Sequence, residues 1–146
     1  MDKNLVIEAL KQVLANTYLL YFKTQNYHWN VDGPYFYSYH KMFEEQYQEV
    51  EGALDKIAEL IRAAGEKVPN SAILFADYAT IEKKFAESDA MAMVKDLYSC
   101  HQGMINSLTN LQKISSGGVD IVVENFAVER MYVHNKTLWM LKATFS

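Results

Sequence analysis

Apolar residues recur along most of the chain at the spacing of an amphipathic α-helix. The pattern predicts a first helix from about Lys3 to about Trp29, which Asp32-Gly33-Pro34 ends because Gly supplies turn freedom and Pro cannot extend a helix. A second helix is predicted from Tyr35 to Ala64, with Gly65 as its C-terminal stop. The apolar faces consist of Val6, Leu10, Val13, Leu14, Thr17 and Tyr21, then Phe36, Phe43, Tyr47, Val50, Leu54, Ile57 and Ile61. The chain therefore opens with two antiparallel helices joined by a short turn.

The second half of the chain begins with a long connection and ends with two more helices. The connection spans Glu66 to Glu87, and its segment Ala72 to Tyr78 is predicted to form a short helix of its own. The third long helix is predicted to start after Ser88, as N-cap, and to end at the Ser115-Ser116-Gly117-Gly118 loop, and the fourth begins at about Asp120. The apolar stripes are Met91, Val94, Leu97, Tyr98, His101, Ile105, Leu108 and Leu111, then Val123, Phe126, Ala127, His134, Leu138 and Leu141. This order predicts an all-α, ferritin-like four-helix bundle with a short helix in the crossover between helices two and three.

The composition is that of one compact domain, which we expect to span residues 1–146. Half of the 146 residues are hydrophobic, 22% are charged, and only six are Gly and two are Pro. The formal net charge of -4 and the pI near 5.5 argue against a surface that neutralises phosphates, so nucleic acid is not an expected partner. Cys100 is the only cysteine, and the longest apolar runs are a few residues long. We therefore expect no intrachain disulfide, no membrane span and a location in the reducing cytoplasm.

Two pairs of potential metal ligands lie on the second predicted helix. His40 and Glu44 are four residues apart, as are Asp55 and Glu59, so each pair projects from one side of the helix within about one turn. The distance from the first pair to the second is roughly 22 Å along a rigid helix that rises about 1.5 Å per residue. One chain cannot close such a site. Two copies of the helix, packed antiparallel across a two-fold axis near Glu49, would bring the pairs together.

His28, at the end of the first helix, can complete an imidazole and carboxylate set with these four residues. Such nitrogen and oxygen donors suit iron, and the lack of a cysteine cluster disfavours structural zinc. Acids spaced four residues apart are more often a solvated helix face, and a lone histidine is more often structural. The joint spacing of the two pairs is therefore what favours a metal site, and the donor types favour iron, as Fe(II) and Fe(III).

The segment from Gln25 to Gly65 resembles the signature of the Dps family, the ferritin-like mini-ferritins of starved bacterial cells. His28-Trp29-Asn30 is followed by a Gly, then by His40 twelve positions after His28, and then by Asp55-x-x-x-Glu59 fifteen positions further on. The segment from His134 to Ala143 is also similar to the C-terminal end of that family. The resemblance therefore extends over nearly the whole chain.

By this resemblance His28, His40 and Glu44 are iron ligands and catalytic residues of one subunit, and Asp55 and Glu59 are those of its two-fold mate. The family usually has Asp where Glu44 stands. The longer Glu side chain is expected to shift the weaker of the two iron positions, but it still supplies an oxygen ligand. Family members assemble into hollow twelve-subunit shells, oxidise Fe(II) preferentially with hydrogen peroxide and store the ferric product. The resemblance thus implies a homododecameric ferroxidase and iron-storage protein that protects against oxidative stress.

The resemblance also implies roles for three further residues. Trp29 looks like the family's tryptophan thought to intercept oxidising equivalents, and plain packing is an equal alternative. Asp120 and Glu124 fall where the family has acidic residues that line iron-entry pores, although Asn125 replaces an expected Asp. The alternative for these acids is the ordinary preference of helix N-termini for negative charge.

Other interpretations predict different features. A di-iron site within one bundle would use a Glu-x-x-His motif, but the residues three before the four histidines are Gln25, Tyr37, Tyr98 and Met131. His101 and His134 each stand singly on an apolar stripe, so we expect core or interface histidines and not ligands. DNA compaction, the alternative function, would use a Lys-rich N-terminal tail, and Lys3 is the only basic residue before the first helix. A purely structural bundle would oxidise iron independently of the predicted ligands.

Overall fold

The computed structural model describes residues 2–87 and 89–145. They form helices α1 (Asp2–Asn30), α2 (Phe36–Ala63), α3 (Ser71–Ile73), α4 (Ala90–Ser115) and α5 (Ile121–Phe145), and a π-helical turn (Leu74–Tyr78) continues α3. No strand occurs in these ranges. The prediction of an all-α bundle with a short helix in the crossover is confirmed.

The helices end close to the predicted positions, and local chemistry explains why. Gly65 follows α2 with a φ of 98°, a left-handed backbone conformation that residues with a Cβ rarely adopt. The predicted N-cap of α4, Ser88, lies outside the described residues. Asp89 is the N-cap observed, because its Oδ1 accepts a hydrogen bond from the backbone N–H of Met91 at 3.3 Å. Short-range signals therefore account for the ends of the long helices.

The crossover between α2 and α4 lies along α1 and runs parallel to it. Asn16 Oδ1 accepts a hydrogen bond from Thr80 N at 2.7 Å, and two turns further along α1 the Lys23 ammonium donates to the Glu82 carbonyl at 2.8 Å. Contacts thus advance in the same direction along both segments. The crossover carries the chain from one end of the bundle to the other, as predicted, and α2 and α4 run parallel.

A buried polar cluster ties α1 to α4 and to the end of the crossover. Lys23 is fully buried, and its Nζ pairs with Asp96 Oδ2 at 2.8 Å. The Tyr27 hydroxyl donates to the same oxygen at 2.5 Å and accepts from Ala86 N at 2.6 Å. Burial raises the pKa of the neighbouring Cys100 thiol to about 11, so it stays protonated at neutral pH. The buried charges are paired, which is the condition under which an interior tolerates them.

Most of the remaining interior is apolar, and most residues of the predicted apolar stripes are buried in it. Fully buried examples from the four long helices are Leu10, Phe43, Leu97 and Leu141. Phe36 differs from the prediction because it is 41% exposed: α2 begins at this residue, and the ring stacks on His40 with centroids 4.9 Å apart. Within the described ranges, no helix has the length and apolar character needed to cross a membrane.

Candidate metal centre

Two of the predicted ligands, His28 and His40, lie side by side where the turn between α1 and α2 brings the helix ends together. Their ring centroids are 3.9 Å apart and the ring planes differ by 15°, so the imidazoles are stacked. His28 Nδ1 lies 2.7 Å from the His40 carbonyl oxygen, and His40 Nδ1 lies 2.7 Å from the His28 carbonyl oxygen. Each histidine therefore orients the other through the backbone of the neighbouring helix.

These reciprocal hydrogen bonds determine which ring nitrogens are available to a metal. A carbonyl oxygen only accepts, so each Nδ1 carries a proton and donates it. The lone pair of each neutral imidazole is then on Nε2, on the other side of the ring. Metal-binding histidines are usually held by an outer hydrogen bond of this kind. His28 is buried and His40 half-buried, and both are oriented as nitrogen donors.

Glu44 follows His40 by one turn of α2 and is half-buried. Its Oε1 lies 3.3 Å from the ammonium of exposed Lys41, and the hydrogen bond to Glu44 raises the pKa of that lysine. Exposed ion pairs of this type contribute little free energy. The carboxylate can therefore exchange the lysine for a metal ion at small cost.

Asp55 and Glu59 are exposed on the second half of α2, away from the two histidines. Because α2 is continuous from Phe36 to Ala63, the separation of roughly 22 Å between the ligand pairs applies to the folded chain. Within the part of the chain that the structure describes, no group of three or more His, Cys, Asp or Glu converges to hold a metal. The subunit thus brings His28 and His40 together and leaves the second acidic pair apart.

Two aromatic side chains beside the histidines had not been predicted as part of this site. The Tyr47 ring lies 5.3 Å from the His28 ring, and Phe36 stacks on His40. Tyr47 comes seven residues after His40 and Phe36 comes four before it, so all three lie on one side of α2. Helical spacing from His40 was the signal that could have identified both.

The three residues singled out by family resemblance have distinct surroundings. Trp29 is 62% exposed, so its indole is not packed in the core of its own subunit. Asp120 precedes α5 and its Oδ1 accepts from Val123 N at 3.1 Å, while Glu124 accepts from Gln112 Nε2 at 2.9 Å. Both acids have local structural partners, and their role at a pore remains a prediction.

A second polar cluster lies inside the bundle where α2, α4 and α5 meet. His101 Nδ1 and His134 Nδ1 are 2.8 Å apart, and Arg130 Nη2 lies 3.1 Å from His134 Nε2. Arg130 also forms a bidentate ion pair with Glu49, with distances of 2.6 and 3.0 Å. The two histidines lie in the core, but they pair instead of standing singly. The signal was present, because positions equally distant from the Gly117-Gly118 loop face each other in a helical hairpin.

The sequence and the fold of this chain are similar to those of the same group of known proteins. The ferritin-like domain family matches residues 7–146. DNA protection during starvation protein 2 of Bacillus anthracis is 30% identical over 138 residues, 94% of each chain. A low temperature-induced protein of Nostoc sp., described as uncharacterized, is 34% identical over 140 residues, which cover 94% of this chain and 78% of that protein. The crystal structure of a Dps protein from Bacillus brevis has a TM-score of 0.93 at 27% identity, over 99% of this chain and 97% of that one.

The bundle topology and the end-to-end match define a ferritin-like protein. Within that class, the chain belongs to the Dps family. The predicted ferritin-like fold and the family resemblance are both confirmed.

Proposed function

We propose that this chain is a ferroxidase and iron-storage protein whose iron site is shared between two subunits. In this proposal His28, His40 and Glu44 of one subunit and Asp55 and Glu59 of its two-fold mate bind Fe(II). The observation that carries it is the stacked histidine pair, because its Nδ1 hydrogen bonds leave both Nε2 atoms free to bind metal. The separation along α2 then requires a second copy to supply the remaining carboxylates.

The donor set suits the chemistry of iron oxidation. The three carboxylates offset three of the four positive charges of two ferrous ions, the two imidazoles complete the donor set, and the negative charge of the carboxylates favours the ferric product. Hydrogen peroxide accepts two electrons, so two Fe(II) ions, one peroxide and two protons yield two Fe(III) ions and two waters. Two irons at one site deliver both electrons together, and a single iron would release a hydroxyl radical. The proposed consequence is protection against oxidative stress, with the ferric product stored in a shell.

Membership of the Dps family and the surface of the subunit support the proposed homo-oligomer, which we expect to be a dodecamer. The α5 helix exposes several large apolar side chains, among them Tyr132 at 72% and Trp139 at 67%. Apolar surface of this kind on one helix is typical of contacts between chains. Trp29, next to His28, is exposed in the same way, which fits a position at the proposed two-fold interface. We propose that protection acts through iron chemistry and does not require DNA binding.

Anaerobic Fe(II) titration followed by peroxide tests the proposal. His28→Ala removes a nitrogen donor and Asp55→Ala removes a carboxylate, so each should slow peroxide-driven formation of Fe(III) by about tenfold or more. Asp77→Ala, which removes an exposed acid of the crossover, is the matched control and should oxidise iron at the wild-type rate. Equal rates in all four proteins would show that these residues are not the iron site.

A further inference from the structure

The second polar cluster holds one permanent cation, the guanidinium of Arg130, between groups that are themselves metal donors. Both oxygens of Glu49 and the Nε2 of His134 direct lone pairs at it, at 2.6, 3.0 and 3.1 Å. Arg130 and His134 are buried, and Glu49 is exposed at the rim of the bundle. Since a guanidinium cannot lose its proton in a protein, this position is positively charged at every relevant pH.

The hydrogen-bond directions give His134 the arrangement of a metal-binding histidine. Arg130 only donates, so His134 Nε2 accepts and its proton is on Nδ1. That Nδ1 donates to His101 Nδ1 at 2.8 Å, which fixes the ring with its Nε2 lone pair toward the cation. Burial lowers the pKa of both histidines, in agreement with two neutral rings. The His101 Nε2–H is left without a hydrogen-bond partner among the described residues.

A third donor lies one turn before Glu49 on the same side of α2. Gln46 is 8% exposed, and neither polar atom of its side-chain amide has a partner in the described part of the chain. Gln46 and Glu49 line one groove of about 310 Å³ between α2 and α5. An amide and a carboxylate therefore border a groove through which a hydrated ion can approach, and Arg130 lies between that carboxylate and the His134 imidazole. Such mixed oxygen and nitrogen donors suit Fe(II), Mn(II), Co(II) and Zn(II).

We propose that Arg130 occupies a transition-metal site inside the subunit, formed by Glu49, His134 and Gln46, and thereby keeps divalent metal ions out of the bundle. Ferritin-like proteins with a di-metal centre inside one bundle place inward-facing Glu and His side chains on facing helices. Here one Glu and one His face each other in that way, and a tethered cation lies between them. The guanidinium restricts metal ions to sites outside the bundle core.

Cobalt binding to the purified, chelator-treated assembly tests the proposal. Equilibrium dialysis and the visible spectrum of Co(II) give the number of ions bound per subunit. Arg130→Ala should bind one more Co(II) per subunit than the wild type, because the carboxylate and imidazole lose their internal cation. Arg130→Lys keeps a positive charge and should bind the wild-type number. Arg130→Ala with His134→Ala lacks the nitrogen donor and should also return to the wild-type number.

Folding of each variant is checked by helical circular dichroism and gel filtration, and Arg130→Gln, which keeps most of the stem, serves where Ala does not fold. If neither Arg130→Ala nor Arg130→Gln gains an ion, the proposal is overturned. It is also overturned if the gain survives the loss of His134. The result is independent of the proposed iron oxidation, because any Co(II) bound at a subunit interface is common to all variants and cancels in the comparison.

Discussion

At the residue scale, the two histidine pairs differ in what surrounds their ring nitrogens. In the first pair, His28 and His40, backbone carbonyls accept hydrogen bonds from the Nδ1–H groups, so the Nε2 atoms are available to a metal ion. In the second pair, His101 and His134, the rings are bonded to each other and to Arg130 in the core. Burial lowers the pKa of His101 to about 3, and burial, with His101 and the Arg130 guanidinium beside the ring, lowers the pKa of His134 well below its ordinary value.

This second pair makes stability depend on pH. Below about pH 6.5 the unfolded chain binds protons at both histidines while the folded chain does not, so stability falls as pH drops from about 6.5 towards 3. His101 contributes a loss of about 1.4 kcal/mol per pH unit in that window, His134 adds to the loss in the same direction, and neither contributes above the window. Thermal unfolding of the wild type and of His101→Phe, measured from pH 7.5 to 4.5, checks this. The variant should lose stability less steeply as pH falls, and equal slopes would contradict the assignment.

The candidate site could be predicted only in part, because some of its features follow from local sequence and others from how the helices pack. His28 and His40 were accessible from spacing and family resemblance, since both lie next to a recognisable turn. Their reciprocal hydrogen bonds were not, because these depend on side-chain rotamers and on how two helix ends meet. The Arg130 cluster is not apparent from single positions, because its histidines stand singly on two different helices. Pairing them required the symmetry of the α4–α5 hairpin about its glycine loop.

At the element scale, the sequence predicts the four long helices, but it predicts the local conformation of the crossover only in part. Apolar periodicity and short-range signals such as Gly65 determine the helices. The segment Ala72 to Tyr78 has a helical pattern, but only tertiary contacts decide that most of it forms a π-helical turn. Asn16 fixes the chain just after this turn, because its Oδ1 accepts from the backbone N–H groups of both Thr80 and Ile81 at 2.7 and 3.2 Å. Distant residues thus set the local path of the crossover.

Gly103 in α4 allows the crossover to lie this close to the bundle. A Cβ at this position would be 2.7 Å from Ile81 Cγ2, so Gly103→Ala should destabilise the fold by about 1–3 kcal/mol despite the better helix propensity of Ala. Gly52→Ala in α2, where an added Cβ meets nothing within 4 Å, is the control and should stabilise by up to about 1 kcal/mol. Chemical denaturation measures both.

An Ile81→Ala background makes this test specific. Without the Ile81 side chain the added methyl has space, so Gly103→Ala should become neutral or stabilising there. If the cost of Gly103→Ala is the same in both backgrounds, close contact with Ile81 is not its cause.

At the scale of the whole molecule, the chain has features that are expected of one subunit of an oligomer. The proposed iron ligands lie in two groups, because Asp55 and Glu59 are roughly 22 Å along α2 from His40 and Glu44, which lie beside His28 of α1. No metal-binding group of three forms within one chain over the described residues. Apolar side chains are exposed along α5 and beside His28. The proposed activity therefore belongs to pairs of subunits, and a variant defective in one group should be complemented by a variant defective in the other.

Mixed assembly of His28→Ala and Asp55→Ala subunits tests the shared site most directly. Each variant alone lacks a ligand in every site and should oxidise Fe(II) with peroxide slowly. In an equal mixture, half of the dimers pair the two variants, and in each of these one of the two sites has all its ligands. The account predicts recovery of about a quarter of the wild-type rate after the variants are unfolded and refolded together. A mixed sample no more active than the separate variants would contradict a site shared between subunits.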